Sequence, residues 1–376
     1  MNSLSDEQFM RLALQEAKKG LGRTSPNPCV GAVIVRDGRI IAKGYHKKAG
    51  TPHAEVNAIR QASEAVSGAT IYVTLEPCNH TGKTPPCTRL ISESGISRVV
   101  VGMTDPNPLV DGKGIDFLRS QGVEVASGIL EQECEAINRP FIKYITQRIP
   151  WVIMKAGVSL DGKLNYQHGQ SGWITGEQSA IAVHKMRDRV DAILVGRRTV
   201  EIDNPSLTTR LSRGKTKDPV RIIVDSQLSS PLSSKVFQVG SNTAPTWVFH
   251  AADASQSKIA QFLARGVQLY PIDRKANGLD LSQLLSILGK KEICSVLVEG
   301  GARIHGAFLK EKLIDYAHLF YAPIFAGDNG VSLIEGHPVP GRLAAPRLDG
   351  VHYKRLGDDM LVSGRLCYAA QDNALR

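Results

Sequence analysis

The stretch HAEVNAIRQASEAVSGATIYVTLEPCNHTGKTPPCTRLISESG, residues 53–95, decides the fold of the first part of the chain. Residues 53–66 repeat apolar positions with a helical period, and ATIYVTL at 69–75 has the composition of a buried strand. PPCTRLISESG at 85–95 reads as a second helix, opened by proline and closed by glycine. Helix, strand and helix in succession belong to a layered α/β fold. The alternation continues on both sides. Upstream lie a helix at about 6–19, with Ser5 and Gln8 as a capping box, and the apolar run CVGAVIVR at 29–36. Asp37-Gly38 offers a tight hairpin turn into RIIAKGYH at 39–46. Downstream come a strand at 97–102, a helix near 113–121, a short strand at 123–128 and a helix at 130–146.

Near Arg148-Ile149-Pro150 the pattern restarts, which predicts two domains, 1–147 and 148–376. The second also alternates, with helices at 177–189, near 253–265 and at 302–312. Its expected strands are 191–196, 220–225, 246–250, 267–271 and 293–301, with closing strands at 316–325 and 346–368. The composition is globular, at 42% hydrophobic and 22% charged residues, which excludes a disordered or fibrous chain. No apolar run is long enough for a membrane span. The N-terminus reads as a capped helix rather than a secretory leader, so a cytoplasmic location is expected. The six cysteines are then reduced, metal-bound or buried. Of the net charge of +10, residues 1–147 carry +2 (17 basic, 15 acidic) and the remainder +8. Such an excess suits phosphorylated ligands or nucleic acid, and solubility explains it equally well.

Chemistry concentrates at His53, Glu55, Cys78 and Cys87. One imidazole and two thiolates form the three-ligand set of a catalytic zinc, which keeps a position open for water. Bound zinc lowers the pKa of that water to about 7, and a carboxylate two residues from the histidine can carry its proton. Cys78 near the start of a turn and Cys87 near the start of a helix would let helix N-termini favour the thiolates. A structural zinc would want a fourth ligand, and His80 could supply it. Cys29, Cys134, Cys294 and Cys367 sit in apolar or helical patterns and read as packed residues.

His-x-Glu followed by Pro-Cys and a further Cys resembles the zinc nucleobase deaminases. Their usual Pro-Cys-x-x-Cys is expanded here, with eight residues between Cys78 and Cys87. That insertion, with Thr24-Ser25-Pro26-Asn27-Pro28, Val30-Gly31, Gly44-Tyr45-His46 and Thr74-Leu75-Glu76-Pro77-Cys78, is similar to the deaminase half of the bifunctional riboflavin-biosynthesis deaminase/reductase family. The resemblance implies a cytidine-deaminase-like α/β/α domain. Its substrate would be a diaminopyrimidinone carrying a ribose 5-phosphate, losing its ring 2-amino group as ammonia. His53, Cys78 and Cys87 would hold one zinc per chain, and Glu55 would move the protons. Asn27 would bond the pyrimidine. His46, His80 and Lys83 are candidates for the ribose phosphate, with surface-loop roles as the alternative.

The second half lacks Gly-x-Gly-x-x-Gly, but the strand ICSVLV runs into Glu299-Gly300-Gly301 and a helix, where two glycines let backbone approach a phosphate. Alone, that turn carries little. Lys155 to Lys163, Ser171 to Thr175, Val195 to Thr199 and Asp203 to Arg210 look like the reductase half of the same family, in order. The resemblance implies a dihydrofolate-reductase-like α/β domain using NADPH to reduce the ribose carbon bonded to the amine, giving a ribityl chain. By motif position, Gly157, Trp173, Thr199, Asp203, Ser226 and the run Gly301, Ala302, Arg303, Ile304, His305, Gly306 and Ala307 would line the NADPH site. Ser171, Arg187, Leu207, Arg210 and Glu299 would contact substrate, the two arginines as bidentate phosphate partners. Trp173 reads equally as packing. Lys155 and Glu299 are candidates for proton transfer, and Arg197 and Arg198 either meet the NADPH 2′-phosphate or face solvent. The expected protein is a homo-oligomeric enzyme acting on small phosphorylated pyrimidines, without nucleic acid or membrane. The alternatives are a tRNA-adenosine-type base deaminase with a basic binding domain, and a zinc-stabilised scaffold.

Overall fold

The computed structural model describes residues 5–79, 85–107, 112–212, 214, 216–240, 243–276 and 278–368. The chain divides into two compact units, Met1–Arg148 and Ile149–Arg376. The first contains α1 (Asp6–Ala17), β1 (Gly31–Arg36), β2 (Arg39–Tyr45), α2 (Ala54–Arg60), β3 (Thr70–Leu75), α3 (Cys87–Glu93), β4 (Arg98–Met103), α4 (Lys113–Ser120), β5 (Glu124–Ser127) and α5 (Glu131–Gln147). The sheet order is β2-β1-β3-β4-β5, with β1 antiparallel to both neighbours and the other pairs parallel. Ser5 and Gln8 form the capping box of α1, and Asp37 and Gly38 turn the hairpin with positive φ.

Two glycines set the layers. Gly31 pairs with Tyr45 and Ala32 with Gly44, so Gly31 and Gly44 point to opposite faces of the sheet. A Cβ on Gly31 would come within 2.1 Å of Ala13 O in α1. One on Gly44 would lie 2.4 Å from Ala58 N and 2.5 Å from Ala54 O in α2. Helices therefore cover both faces, and Gly44 lets α2, which carries Glu55, seat directly on β2. The core fills with β1, β3 and β4 residues such as Ile34, Ile71 and Val100. Helical periodicity runs to residue 66, but α2 stops at Arg60. Beyond it, Ser63 donates from N (3.1 Å) and Oγ (3.2 Å) to Ile41 O and ties the chain back to β2.

The second unit contains β6 (Trp151–Val158), α6 (Glu177–Arg187), β7 (Ala192–Gly196), α7 (Arg197–Asp203), β8 (Val220–Val224), β9 (Thr246–Ala251), α8 (Gln256–Leu263) and β10 (Gln268–Ile272). The two-residue strands β11 (Arg274–Lys275) and β12 (Gly278–Leu279) pair with each other. Then follow α9 (Leu281–Lys290), β13 (Ser295–Gly300), α10 (Ala302–Lys310), β14 (Tyr316–Tyr321), β15 (Arg347–Leu356) and β16 (Asp359–Cys367). The sheet order is β10-β9-β8-β7-β13-β6-β14-β16-β15, parallel from β10 to β14 and closed by an antiparallel hairpin. Strands such as β7 and β9 are buried along their whole length, as a parallel sheet covered on both faces requires.

Two helices escape the sequence reading. The α7 helix follows β7 without a loop. The α9 helix has a legible signal: Leu281, Leu284, Leu285 and Leu288 bury one face, and Asp280 caps it by accepting from Gln283 N at 3.0 Å. The closing hairpin also does local work. Buried Asp359 accepts from Gly176 N (2.7 Å) and Ser179 Oγ (2.5 Å), capping α6 from β16. Among the described residues, no helix is long and apolar enough to cross a membrane.

Candidate active sites

In the first unit, β3 runs into the turn bearing Cys78, His53 is the N-cap of α2, and Cys87 is the first residue of α3. His53 Nδ1 lies 3.5 Å from Cys78 Sγ and 3.3 Å from Cys87 Sγ, and the three donor atoms all fall within 4.8 Å of one another. The turn is clamped to α3, where Thr88 N donates to Cys78 O (3.3 Å) and Thr88 Oγ1 to Asn79 Oδ1 (2.8 Å). Hydrogen bonding from Cys87, together with His53, lowers the Cys78 thiol well below its ordinary value. Glu55 is buried beside these donors, and its Oε2 has no hydrogen-bond partner among the described residues. Burial raises its pKa. A buried carboxylate oxygen without a partner is costly unless something polar meets it. The donor set and the orphaned oxygen together fit a zinc that carries water.

In the second unit, a cleft of about 1100 Å³ opens over the carboxyl ends of the parallel strands, where α/β sheets bind ligands. Glu299 on β13 and Lys155 on β6 meet at 3.3 Å. Arg187 grips Glu299 with two bonds of 2.8 Å and gives a third, of 3.1 Å, to Thr208 O. Burial opposes ionisation of Glu299, but Lys155 and Arg187 outweigh it and hold its carboxyl down at about 2. His184 accepts from Arg210 N at 3.1 Å. Burial, with Arg187 and Arg210 nearby, lowers the His184 pKa to about 4. Gly300 and Gly301 have φ of 102° and 83°, conformations that side chains disfavour, and Gly301 caps α10 beside Thr199.

Comparison with known proteins matches residues 3–103 to the cytidine and deoxycytidylate deaminase zinc-binding region and residues 150–362 to the RibD C-terminal domain. The riboflavin biosynthesis protein RibD of Bacillus amyloliquefaciens is 42% identical over 356 residues, covering 94% of this chain and 95% of its own. That of Aquifex aeolicus is 46% identical over 336 residues, covering 88% and 92%. The solved RibD of Acinetobacter baumannii (form 1) superposes with a TM-score of 0.86 at 35% identity, covering 96% of this chain and 99% of that one. The chain belongs to the RibD family. It is a bifunctional deaminase and reductase of riboflavin biosynthesis that uses zinc and NADPH. A Thermotoga maritima structure, described as a diaminohydroxyphosphoribosylaminopyrimidine deaminase/5-amino-6-(5-phosphoribosylamino)uracil reductase, gives 0.84 at 40% identity, with 96% and 99% covered.

Within this RibD family member, several sequence expectations change. His46 is no surface-loop residue. It is buried, its Nδ1 lies 3.2 Å from Pro52 O, and its Nε2 lies 3.2 Å from Asn27 Nδ2. Both ring nitrogens have partners, and the Nε2 contact orients Asn27. His80 and Lys83 lie outside the described residues. Arg187 lines the cleft with its guanidinium bonded to Glu299 and to Thr208 O. Glu299 is held as a carboxylate by Lys155 and Arg187. His305 is buried against Gly300, a Cβ on Gly306 would lie 1.8 Å from Glu335 O, and neither His305 nor Gly306 is among the residues lining the cleft. Gly157, Ser171, Thr199, Asp203, Leu207, Arg210 and Ser226 do line it. So do Gly301, Ala302, Arg303, Ile304 and Ala307. Trp173 lines it too, 69% exposed, which discounts a packing role.

Three supporting residues escape the sequence reading. Glu76 accepts from four backbone N–H groups, of Asp105, Gly112, Gly114 and Ile115, at 2.8–3.2 Å, fixing the start of α4 next to the Cys78 turn. Asn138 holds the Asn27 loop by bonding Cys29 N (2.8 Å) and Cys29 O (3.1 Å). His184 sits between the arginines of the cleft. Glu76 stands in a motif that carries the family resemblance, but no local pattern gives its role or marks Asn138 and His184, since the partners lie far away in sequence.

Proposed function

We propose that the first unit hydrolyses the ring 2-amino group of a diaminopyrimidinone ribose phosphate and that the second reduces the ribosyl group of the product to ribityl. The two activities in the description of the Thermotoga maritima relative support this order. His53, Cys78 and Cys87 would hold zinc, which supplies the Lewis acidity that makes water nucleophilic near neutral pH. Glu55 accepts the proton of the attacking water at Oε2 and delivers it to the ring nitrogen and then to the departing amine. Its raised pKa suits a carboxyl that must hold a proton between two transfers. Asn27, oriented by His46, presents its carboxamide to the pyrimidine.

In the second unit NADPH supplies the hydride. The cleft residues place the ribose carbon against it and exclude water. Bond breaking between that carbon and the ring oxygen leaves an oxygen that takes a proton to become a hydroxyl. Lys155 is the donor placed for this, and Glu299 orients its ammonium from 3.3 Å. Arg210 keeps its guanidinium at the cleft wall, with one bond of 3.2 Å to Thr208 Oγ1, and is the arginine left for the sugar phosphate.

The observation that carries the reading is the orphaned, buried Glu55 Oε2 beside three converging zinc donors. The test is incubation with the diaminopyrimidinone ribose phosphate, following ammonia and NADPH absorbance. Ammonia release needs no NADPH, and NADPH oxidation follows deamination. Glu55→Gln keeps zinc, slows ammonia release by roughly 10²–10⁴-fold, and still oxidises NADPH on deaminated substrate. Wild-type ammonia release by that variant refutes the assignment.

A further inference from the structure

The segment Thr208–Arg210 meets α6 at one wall of the reductase cleft, and a distant side chain holds each of its three residues. Thr208 O accepts from Arg187 Nη1 (3.1 Å), Thr209 N donates to Asp218 Oδ1 (2.7 Å), and Arg210 N donates to His184 Nδ1 (3.1 Å). Just before the segment, Leu207 is buried with a φ of 53°, which turns the chain into this position. Two of the anchors, His184 and Arg187, stand one turn apart on α6. The third is tied to the same helix, since Lys217 N, next to Asp218, donates to Asp188 Oδ1 at 2.8 Å. The α6 helix thus decides where the main chain of Arg210 lies.

The direction of the His184 bond is fixed. A backbone N–H can only donate, so Nδ1 accepts, and the ring is neutral with its proton on Nε2. An imidazolium carries a proton on both nitrogens and could not make this bond. Burial, then Arg187 and Arg210, with Lys155 adding to them against Glu299, keeps the ring pKa at about 4. The acceptor therefore persists throughout the neutral range. His184 is buried, whereas Arg210 is exposed and reaches along the cleft wall. A long exposed side chain has many rotamers. Fixing its main chain before a ligand arrives removes part of the ordering cost of binding.

We propose that His184 is a positioning residue of the reductase, which by accepting from Arg210 N sets the Arg210 guanidinium for the substrate's phosphate. The proposal rests on the reading of Arg210 as the arginine that meets that phosphate. The test uses the full chain with NADPH, the deaminated substrate, and the same compound with its phosphate removed. His184→Ala raises KM for the phosphorylated compound by about 3–10-fold, the scale of one lost neutral hydrogen bond. It leaves kcat, KM for NADPH and KM for the phosphate-free compound within about twofold. His184→Asn restores most of the affinity, because its carboxamide oxygen lies near the place of Nδ1. His184→Gln does not, because its carboxamide reaches the place of Nε2. These two variants decide the question even where His184→Ala does not fold. In an Arg210→Ala background, His184→Ala adds nothing, since the two residues act as one unit. The proposal is overturned if His184→Ala weakens both compounds equally, if Gln rescues and Asn does not, or if the two substitutions add. Arg210→Ala without a loss specific to the phosphorylated compound overturns the Arg210 reading and the proposal with it. Such a loss in Arg210→Ala with none in His184→Ala overturns the proposal alone.

Discussion

In the first unit, three metal-binding donors crowd within 4.8 Å and one carboxylate oxygen is left without a partner. In the second, Glu299 is paired with both Lys155 and Arg187 in a cleft of about 1100 Å³. The difference follows from what each site must receive. A metal centre is completed by its ion, so its donors converge and remain incomplete without it. A site for large ligands must stand folded before they arrive. Its inner charges therefore pair with one another, while cations such as Arg198 and Arg210 line the cleft.

The sharpest way to break this comparison is to remove a donor from each site. Cys78→Ala or Cys87→Ala leaves two protein ligands, so zinc is lost and deamination is abolished, while NADPH oxidation on deaminated substrate stays near wild type. Metal analysis decides it: a full equivalent of zinc in both variants would show that the ligand set is wrong. Glu299→Gln has a smaller effect of a different kind. It takes the shared carboxylate from two half-buried cations, and removing one partner of a buried pair costs at most about 3–5 kcal/mol. All three tryptophans, Trp151, Trp173 and Trp247, lie in the second unit, so their fluorescence reports its unfolding. The variant should unfold at lower urea and lose reduction while ammonia release persists. Unchanged stability would mean that the three charges are not mutually dependent.

The smallest effect is set by pH. Burial holds His305 and His318 of the second unit at pKa values of about 4. In the unfolded chain histidine titrates near 6.5, so the folded value is the depressed one. The stability from keeping these rings neutral is present above pH 6.5 and is lost as pH falls toward 4. At pH 5 the loss is about 2 kcal/mol per ring. Glu299, held at about 2, contributes stability lost only at lower pH, as the solution passes from its ordinary value of 4.5 down through 2. Tryptophan fluorescence in urea at pH 7 and pH 5 should show the midpoint falling. A constant midpoint would place charged histidines inside the folded unit.

The zinc set was legible because each donor sits at a boundary that local chemistry writes into the chain. His53 and Cys87 open helices, and Cys78 follows a strand. The reductase cleft was legible only as an ordered set of motifs. Its residues were found, but their partners were not, and partners decide roles. Arg187 and Glu299 are 112 positions apart. Nothing in either segment shows that the guanidinium is already occupied. The extent of α2 was misjudged for a similar reason, since the bond from Ser63 to Ile41 O ends the helix from another element.

By itself, the sequence determined the alternation of strands and helices, the two-part organisation it implies, and the donor types at His53, Cys78, Cys87 and Glu55. Those are set by hydrophobic period, capping and side-chain chemistry, all properties of near neighbours. Tertiary structure alone decided that His46 is buried and turned toward Asn27, that His184 accepts from Arg210 N, and that Arg187 is bonded to Glu299. These depend on which distant donor or acceptor the packed sheet brings within hydrogen-bond range. A side chain's own identity leaves that choice open until the strands have paired.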